Sequence, residues 1–173
     1  MKKIVLVGYM ASGKTEIGKL LSKKLDLQFF DIDHLIENEV SKTVNDIFLE
    51  KGEIFFRKKE HEVFANKLNS NESFVLSLGG GTPCYANNHL FLQKEGVISI
   101  YLNVSIPTLT ERLKINRANR PLIKDLSDEE LTEFVAKHLF DRSFYYNQCK
   151  HTIFVDDDKS PFEVIEEIQK ILL

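Results

Sequence analysis

Long hydrophobic runs and cysteines are both scarce in this sequence. No apolar run approaches the roughly 20 residues that a membrane span needs. Cys84 and Cys149 show neither CxxC spacing nor a neighbouring histidine cluster, which argues against a zinc site and a disulfide framework. An apolar run begins within three residues of Met1 and leaves no room for a signal peptide, so we expect a cytoplasmic location without membrane association.

A large excess of charge of either sign is also missing. The 173 residues include 23 basic and 26 acidic side chains, a net charge of −3 that gives no overall attraction to nucleic acid. Any anionic ligand must therefore be held by individual arginines. The length suits one domain, and because no linker or repeat divides the chain, we predict a single domain over residues 1–173.

The segment Gly8–Thr15 fits the phosphate-binding pattern GxxxxGKT. It follows the β-branched run Lys3–Val7, which is typical of a strand buried on both faces. After it, apolar residues recur at helical spacing, namely Ile17, Leu20, Leu21 and Leu25. An ordinary glycine-containing turn could join a strand to a helix, but the complete pattern in this context predicts a nucleoside triphosphate site.

The chemistry of such a loop is local. The glycines let the backbone wrap round the phosphates, and the first N–H groups of the following helix provide an anion site. Lys14 adds a positive charge for the β and γ phosphates, and the hydroxyl of Thr15 is a ligand suited to Mg²⁺.

The rest of the chain alternates strand and helix patterns. Further strands are predicted at 28–31, 73–78, 97–102 and 151–155, with helical stretches between every pair. This order predicts a three-layer α/β/α fold with a parallel sheet, whose ligands gather at the carboxyl ends of the strands. Ser127 with Glu130, and Ser160-Pro161 with Glu163, mark two helix starts. Residues 114–125 lack periodicity and predict a mobile basic loop.

Two carboxylates, Asp31 and Asp33, follow the second predicted strand, and alternation places both on the side of the phosphate loop. One could serve a metal, and the other could orient an acceptor hydroxyl and take its proton. Two alternatives stay open: Asp33 could merely cap a helix that begins at His34, and Asp31 could have a buried structural role.

Gly79, Gly80 and Gly81 directly follow the third predicted strand and allow close backbone approach to a ligand, although a plain turn could also use them. Gly52 precedes a predicted helix that carries Arg57. This arginine could bind an anion, or it could simply pair with Glu60 at the surface, an interaction worth about 0.2–0.5 kcal/mol.

Taken together, these motifs resemble the shikimate kinase family over essentially the whole chain. The resemblance is carried by the loop, Asp31-Ile32-Asp33, the segments 56–60, 76–81 and 120–122, and Arg142 with Tyr146 four residues later. It implies Mg²⁺-dependent transfer of the γ-phosphoryl group of ATP to the 3-hydroxyl of shikimate, on the route to chorismate and the aromatic amino acids. It also implies a P-loop kinase fold with strand order 2-3-1-4-5, a substrate-binding region at 32–60, a lid at 114–125 and a monomeric enzyme.

The resemblance also implies roles for individual residues. Asp33 matches the acceptor-binding carboxylate and base, while Arg57 and Arg142 match the arginines that grip the substrate carboxylate. Gly79 to Gly81 match the segment at the substrate hydroxyls, and Thr15 and Asp31 fall where the family keeps Mg²⁺. The catalytic residues are thus expected to be Asp33, Lys14 and the lid arginine Arg120. The ATP-binding residues are expected to be Ala11, Ser12, Gly13, Lys14, Thr15, Glu16, Arg112 and Arg120.

The sequence departs from the family pattern at Ala11, a position where many family members have glycine. Two other functions remain compatible with the fold: a gluconate or nucleotide kinase, and a P-loop switch that binds nucleotide and a protein partner without transferring phosphate. Paired arginines beside Asp33 and three glycines favour a small hydroxylated carboxylate as the acceptor over both alternatives.

Overall fold

A computed structural model describes residues 1–115, 117, 122–156 and 158–173. Five parallel strands form one sheet in the order β2-β3-β1-β4-β5, with helices on both faces, which confirms the predicted fold and strand order. The strands are β1 (Lys3–Val7), β2 (Gln28–Asp31), β3 (Phe74–Ser77), β4 (Val97–Val104) and β5 (His151–Val155).

Strand β1 lies at the centre of the sheet and pairs with both β3 and β4. Its residues Ile4, Val5 and Leu6 are fully buried, as expected for β-branched and apolar side chains covered on both faces of a parallel sheet. Because β3 and β2 follow on one side in parallel register, the carboxyl ends of all three strands meet at the same edge. The phosphate loop and the two aspartates therefore start from neighbouring positions.

Among the residues described, six α-helices flank the sheet: α1 (Lys14–Leu25), α2 (Ile32–Val40), α3 (Val44–Asn69), α4 (Ile106–Ile115), α5 (Asp128–Tyr146) and α6 (Pro161–Leu172). The two predicted capping boxes are confirmed. In each, a serine hydroxyl accepts the N–H of a glutamate three residues later while that glutamate binds the serine N–H, at Ser127 with Glu130 and at Ser160 with Glu163.

The predicted start of one helix was wrong. Helix α3 begins at Val44, capped by Thr43, and not at Gly52, which instead kinks the helix with φ 79° and ψ 173°. The prediction took the glycine as a start signal, but eight helical residues precede this kink. A glycine-only backbone conformation is what allows the helix to resume after it.

The connection between β3 and β4 holds no α-helix, although a helical stretch was predicted between every pair of strands. Residues 78–96, all of which the structure describes, form two short 3₁₀ helices at Thr82–Cys84 and Asn88–Gln93. Pro83 favours the first of these turns, and Ala86 and Asn87 both adopt positive φ angles that interrupt helical geometry. Among the described helices, none is both long and apolar enough to cross a membrane.

Candidate active site

The phosphate loop joins β1 to α1 and presents backbone N–H groups. Gly13 adopts a left-handed conformation with φ 88°, and no side chain caps the N-terminus of α1. The first N–H groups of α1 therefore remain available to an anion and lie at the positive end of the helix dipole. Ala11 also has a positive φ, 62°, which is a strained conformation for a residue with a Cβ atom.

The ammonium group of Lys14 lies inside this loop. Its Nζ donates hydrogen bonds to the carbonyl oxygens of Gly8, at 2.8 Å, and Tyr9, at 2.9 Å, and the side chain is buried. The loop backbone thus fixes the cation in the concavity where a triphosphate would sit.

Thr15 and Asp31 meet beside the loop. The Thr15 hydroxyl donates to Asp31 Oδ2 at 3.2 Å, while Asp31 Oδ1 accepts the N–H of Asp33 at 3.1 Å and so caps α2. The alternative that Asp33 is the helix cap is therefore wrong, because α2 starts two residues earlier than the sequence suggested. A hydroxyl and a carboxylate side by side form a hard-oxygen pair that fits Mg²⁺. In the described part of the chain no group of three acidic, histidine or cysteine ligands assembles. Phosphate and water oxygens would therefore complete the coordination of a Mg²⁺ ion held by Thr15 and Asp31.

Asp33 lies in the first turn of α2 in different surroundings. Burial raises the pKa of its carboxyl to about 6, and the negative charges of Asp31, Glu60 and Glu37 contribute, while Lys14 acts in the opposite direction. Its Oδ1 lies 3.6 Å from the point where a Cβ on Gly79 would stand. The carboxylate is thus placed between the phosphate loop and the glycine segment, where an acceptor hydroxyl could reach it.

Arg57 and Glu60 form a partly buried ion pair and not a surface pair. Arg57 Nη1 donates to Glu60 Oε2 at 2.9 Å, and Glu60 is only 1% exposed. Its other oxygen, Oε1, accepts the Thr82 hydroxyl at 2.6 Å. Because both oxygens of the buried carboxylate are hydrogen-bonded, Glu60 is well placed to hold Arg57 in one orientation.

Space, and not a left-handed backbone, explains the three consecutive glycines. The glycines with positive φ are Gly13, Gly52 and Gly96, so none of residues 79–81 needs a left-handed backbone. A Cβ on Gly81 would stand 2.9 Å from Arg57 Nη2, and one on Gly80 would stand 3.2 Å from Arg142 Nη1. Both guanidinium groups therefore lie against this segment, which also forms a turn through the hydrogen bond from the Thr82 N–H to the Gly79 carbonyl oxygen at 3.1 Å.

Helix α5 places Arg142 at the site. Arg142 belongs to a stripe of residues four positions apart on one side of the helix, namely His138, Arg142 and Tyr146. The hydroxyl of Tyr9 and Nδ1 of His138 are 3.0 Å apart, and the Arg142 guanidinium lies 5.8 Å from the centroid of the Tyr9 ring. One turn later, the Tyr146 hydroxyl donates to the carbonyl oxygen of Gly80 at 2.6 Å. The stripe attaches α5 to the phosphate loop at one end and to the glycine segment at the other.

A cavity of about 390 Å³ opens on the other side of the loop. Five of the predicted ATP-binding residues line it: Ala11, Ser12, Gly13, Glu16 and Arg112. Arg112 Nη1 donates to the carbonyl oxygen of Ala11 at 3.3 Å, which places the guanidinium beside the loop. The sequence prediction missed the apolar walls, Leu102, Ile115, Val155 and Val164. Leu102 and Val155 lie on strands β4 and β5, whose carboxyl ends were the signal that could have identified this wall.

Arg120 lies outside the described residues, as do 116, 118, 119 and 121 within the predicted lid. Arg117, within the same segment, donates from Nη1 to the carbonyl oxygen of Leu126 at 2.8 Å and pairs with the carboxylate of Asp128. Arg117 therefore anchors the chain at the start of α5.

The comparisons with known proteins agree with this geometry. The family profile described as shikimate kinase matches residues 10–173. The chain belongs to the shikimate kinase family. Two relatives called shikimate kinase, from Flavobacterium psychrophilum and Flavobacterium johnsoniae, are 73% and 50% identical over 172 residues, covering 99% of both chains in each case.

Solved structures of shikimate kinases share the fold over nearly the whole chain. The crystal structure of the shikimate kinase from Bacteroides thetaiotaomicron matches with a TM-score of 0.89 at 33% identity, covering 99% of this chain and 98% of that one. The shikimate kinase from Acinetobacter baumannii in complex with shikimate matches with a TM-score of 0.84 at 31% identity, covering 99% and 93%. A gluconokinase from Sinorhizobium meliloti, at 18% identity, 96% and 88% coverage and a TM-score of 0.59, shares the fold alone.

Proposed function

We propose that this protein is a Mg²⁺-dependent shikimate kinase, which transfers the γ-phosphoryl group of ATP to the 3-hydroxyl of shikimate and releases ADP. The observation that carries the proposal is the convergence of Arg57 and Arg142 on the glycine segment, beside the carboxylate of Asp33. Two guanidinium groups suit a carboxylate, and a carboxylate base suits a hydroxyl. A P-loop switch that transfers no phosphate needs neither the paired guanidinium groups nor the carboxylate base.

In the proposed reaction Asp33 orients the acceptor hydroxyl and accepts its proton. The hydroxyl oxygen forms a bond to the γ-phosphorus as the bond from that phosphorus to the bridging oxygen of ADP breaks. Because this transition state requires mainly positioning and charge stabilisation, the fixed ammonium of Lys14 and the N-terminus of α1 contribute directly.

Thr15 and Asp31 would hold the magnesium ion, whose charge offsets that of the phosphate oxygens when it is bound. On the nucleotide side we assign the phosphates to the loop residues Ala11 to Glu16. Arg112 is assigned to the adenine, against the wall formed by Val155 and the segment near Pro161. Arg120 is proposed as the lid arginine that covers the phosphates.

We further propose that residues 1–173 act as one monomeric domain in the cytoplasm, with residues 32–60 binding the acceptor and residues 114–125 forming the lid. Strand β2 ends and α2 begins at the edge of the acceptor site, and α3 carries Arg57 into it, which supports the assignment of residues 32–60.

A coupled assay of ADP release tests the proposed function. With Mg²⁺ and ATP present, we expect turnover that depends on shikimate, and no stimulation by gluconate or nucleoside monophosphates. A slow rate of ADP release that no acceptor changes would favour the nucleotide switch, and stimulation by gluconate alone would favour the rival kinase.

A further inference from the structure

The turn that follows the glycine segment covers one face of Arg57. Tyr85 comes directly after the 3₁₀ helix Thr82–Cys84, and the Arg57 guanidinium carbon lies 4.0 Å from the centroid of its ring. This distance is well inside the range of about 6 Å in which a cation is attracted to the face of an aromatic ring. The ring is 38% exposed, so it stands at the rim of the site and not in the core.

The edges of the same guanidinium group are held by acidic side chains. Arg57 Nε donates to Glu53 at 3.3 Å, and Nη1 donates to Glu60 at 2.9 Å. Within the part of the chain that the structure describes, Nη2 donates no hydrogen bond, and it lies 2.9 Å from the point where a Cβ on Gly81 would stand. The donors that remain for an anion therefore face the glycine segment.

The turn that carries Tyr85 is itself fixed. The Thr82 hydroxyl donates to Glu60, and the side chain of Asn88 donates to the carbonyl oxygen of Thr82 at 2.9 Å. Both Thr82 and Asn88 are fully buried. The Asn88 N–H also donates to the carbonyl oxygen of Tyr85 at 2.9 Å. Glu60 and Tyr85 thus belong to one hydrogen-bonded unit, which contacts Arg57 at an edge and at a face.

The two hydrogen bonds at its edges hold the Arg57 guanidinium group in place, but they leave it some freedom to tilt out of its plane. A ring on one face removes that freedom and keeps the plane aligned for two parallel hydrogen bonds to a carboxylate. We propose that Tyr85 is a positioning residue for acceptor binding, which orients Arg57 through the face of its ring. This inference rests on the proposed shikimate kinase function.

The test is a comparison of Tyr85→Leu with Tyr85→Phe. Leucine removes the π face, so we expect KM and the dissociation constant for shikimate to rise roughly 5- to 30-fold. We expect kcat and KM for ATP to stay within about twofold, because Arg57 contacts a part of the substrate distant from the reacting hydroxyl. Phenylalanine keeps the ring face, and we expect it to restore shikimate binding to within about twofold of the unchanged enzyme.

Tyr145→Leu provides a matched control. Tyr145 is also half-buried, but its ring contacts His89 and Phe144 and not Arg57. We expect this variant to bind shikimate as the unchanged enzyme does. A second control is the methyl ester of shikimate, used as a competitive inhibitor. Since the ester lacks the carboxylate charge, Tyr85→Leu should change its inhibition constant by less than about twofold.

The double variant Tyr85→Leu/Arg57→Ala tests whether the two residues act together on shikimate binding. If Tyr85 acts through Arg57, Tyr85→Leu has no further effect on shikimate binding once Arg57 is removed. Additive effects, an unchanged KM in Tyr85→Leu, or equal losses in Tyr85→Phe and Tyr85→Leu would each overturn the inference. An unchanged enzyme without shikimate-dependent turnover would instead overturn the proposed function.

Discussion

The two halves of the site are built in opposite ways. The donor half consists largely of one loop, in which the Lys14 ammonium, the Gly13 backbone and the Thr15 hydroxyl lie within three consecutive residues. The acceptor half draws on α2, α3, the glycine segment and α5, through Asp33, Arg57 and Arg142. Residues more than 100 positions apart must meet before an acceptor can be recognised.

The two halves of the site therefore place different requirements on the fold. The donor half needs only a strand, a turn and a helix N-terminus, which many P-loop proteins share. The acceptor half needs the particular strand order that brings the ends of β2, β3 and β1 together, and a helix α5 that reaches back to them. We therefore expect changes in the acceptor half to alter acceptor use while leaving nucleotide binding intact.

The largest effect is expected from Asp33→Asn. Removing the base should lower kcat by about 10²- to 10⁴-fold, the usual contribution of general base catalysis. Binding of ATP, measured by isothermal titration, should change little because Asp33 lies on the acceptor side. A variant with unchanged turnover would exclude Asp33 from the reaction.

The same substitution should stabilise the fold. The native carboxyl has its pKa raised to about 6 from 3.8, so between those values the native state binds more protons than the unfolded state. The contribution of Asp33 to stability therefore falls as pH rises through this window and is unfavourable at pH 7. We expect Asp33→Asn to raise the free energy of unfolding at pH 7 by about 1–3 kcal/mol, measured by urea denaturation.

The next largest effect is expected from Arg142→Met, which keeps much of the side-chain length but removes the charge. Loss of charged hydrogen bonds to the acceptor carboxylate should lower kcat/KM for shikimate by about 10- to 100-fold. Affinity for ATP should stay nearly constant. An equal loss of affinity for both ligands would show that Arg142 supports the phosphate loop through Tyr9 and is not specific to the acceptor half.

A smaller effect is expected from pH. Because the reaction needs ionised Asp33, kcat/KM for shikimate should fall as pH is lowered through about 6, by about tenfold per unit below it. The dissociation constant of ATP should not follow the same titration. A profile that stays flat down to pH 5 would contradict the role of Asp33 as the base.

The smallest effect is expected in the donor half, from Ala11→Gly. Ala11 has a φ of 62°, a conformation that costs a residue with a Cβ atom roughly 1–2 kcal/mol. Glycine relieves this cost but gains freedom in the unfolded chain, so we expect a net stabilisation of about 0.5–1 kcal/mol. Thermal unfolding measures this gain in stability, and the affinity for shikimate should stay unchanged. A lower melting temperature would mean that packing of the Ala11 methyl group stabilises the loop.

The sequence predicted the donor half better than the acceptor half, for a physical reason. A loop motif is read from adjacent residues, and the five strands could be located because each has an apolar pattern. The burial of Glu60 and the contact between Tyr146 and Gly80 depend on elements far apart in the chain, which no local pattern records. For Asp31 the sequence left metal binding and a structural role as alternatives. The two are compatible, because one oxygen of the carboxylate caps α2 while the other accepts the Thr15 hydroxyl.

The segment between β3 and β4 shows the limit of pattern reading most clearly. A helical stretch was predicted here as between every other pair of strands, but the backbone at Ala86 and Asn87 turns left-handed, and the chain forms 3₁₀ turns instead. That irregular segment contains Tyr85 and Thr82, which contact the Arg57 and Glu60 pair. Side chains that support the site were therefore missed along with the backbone that carries them.

The stripe along α5 has a consequence for how the sequence can vary in length. His138, Arg142 and Tyr146 face the site together because a helix returns to nearly the same side every fourth residue. Inserting or deleting one residue between Ser127 and His138 would rotate all three by about 100° relative to the capped end of the helix. Relatives that keep the activity should therefore have no insertion or deletion between Ser127 and His138.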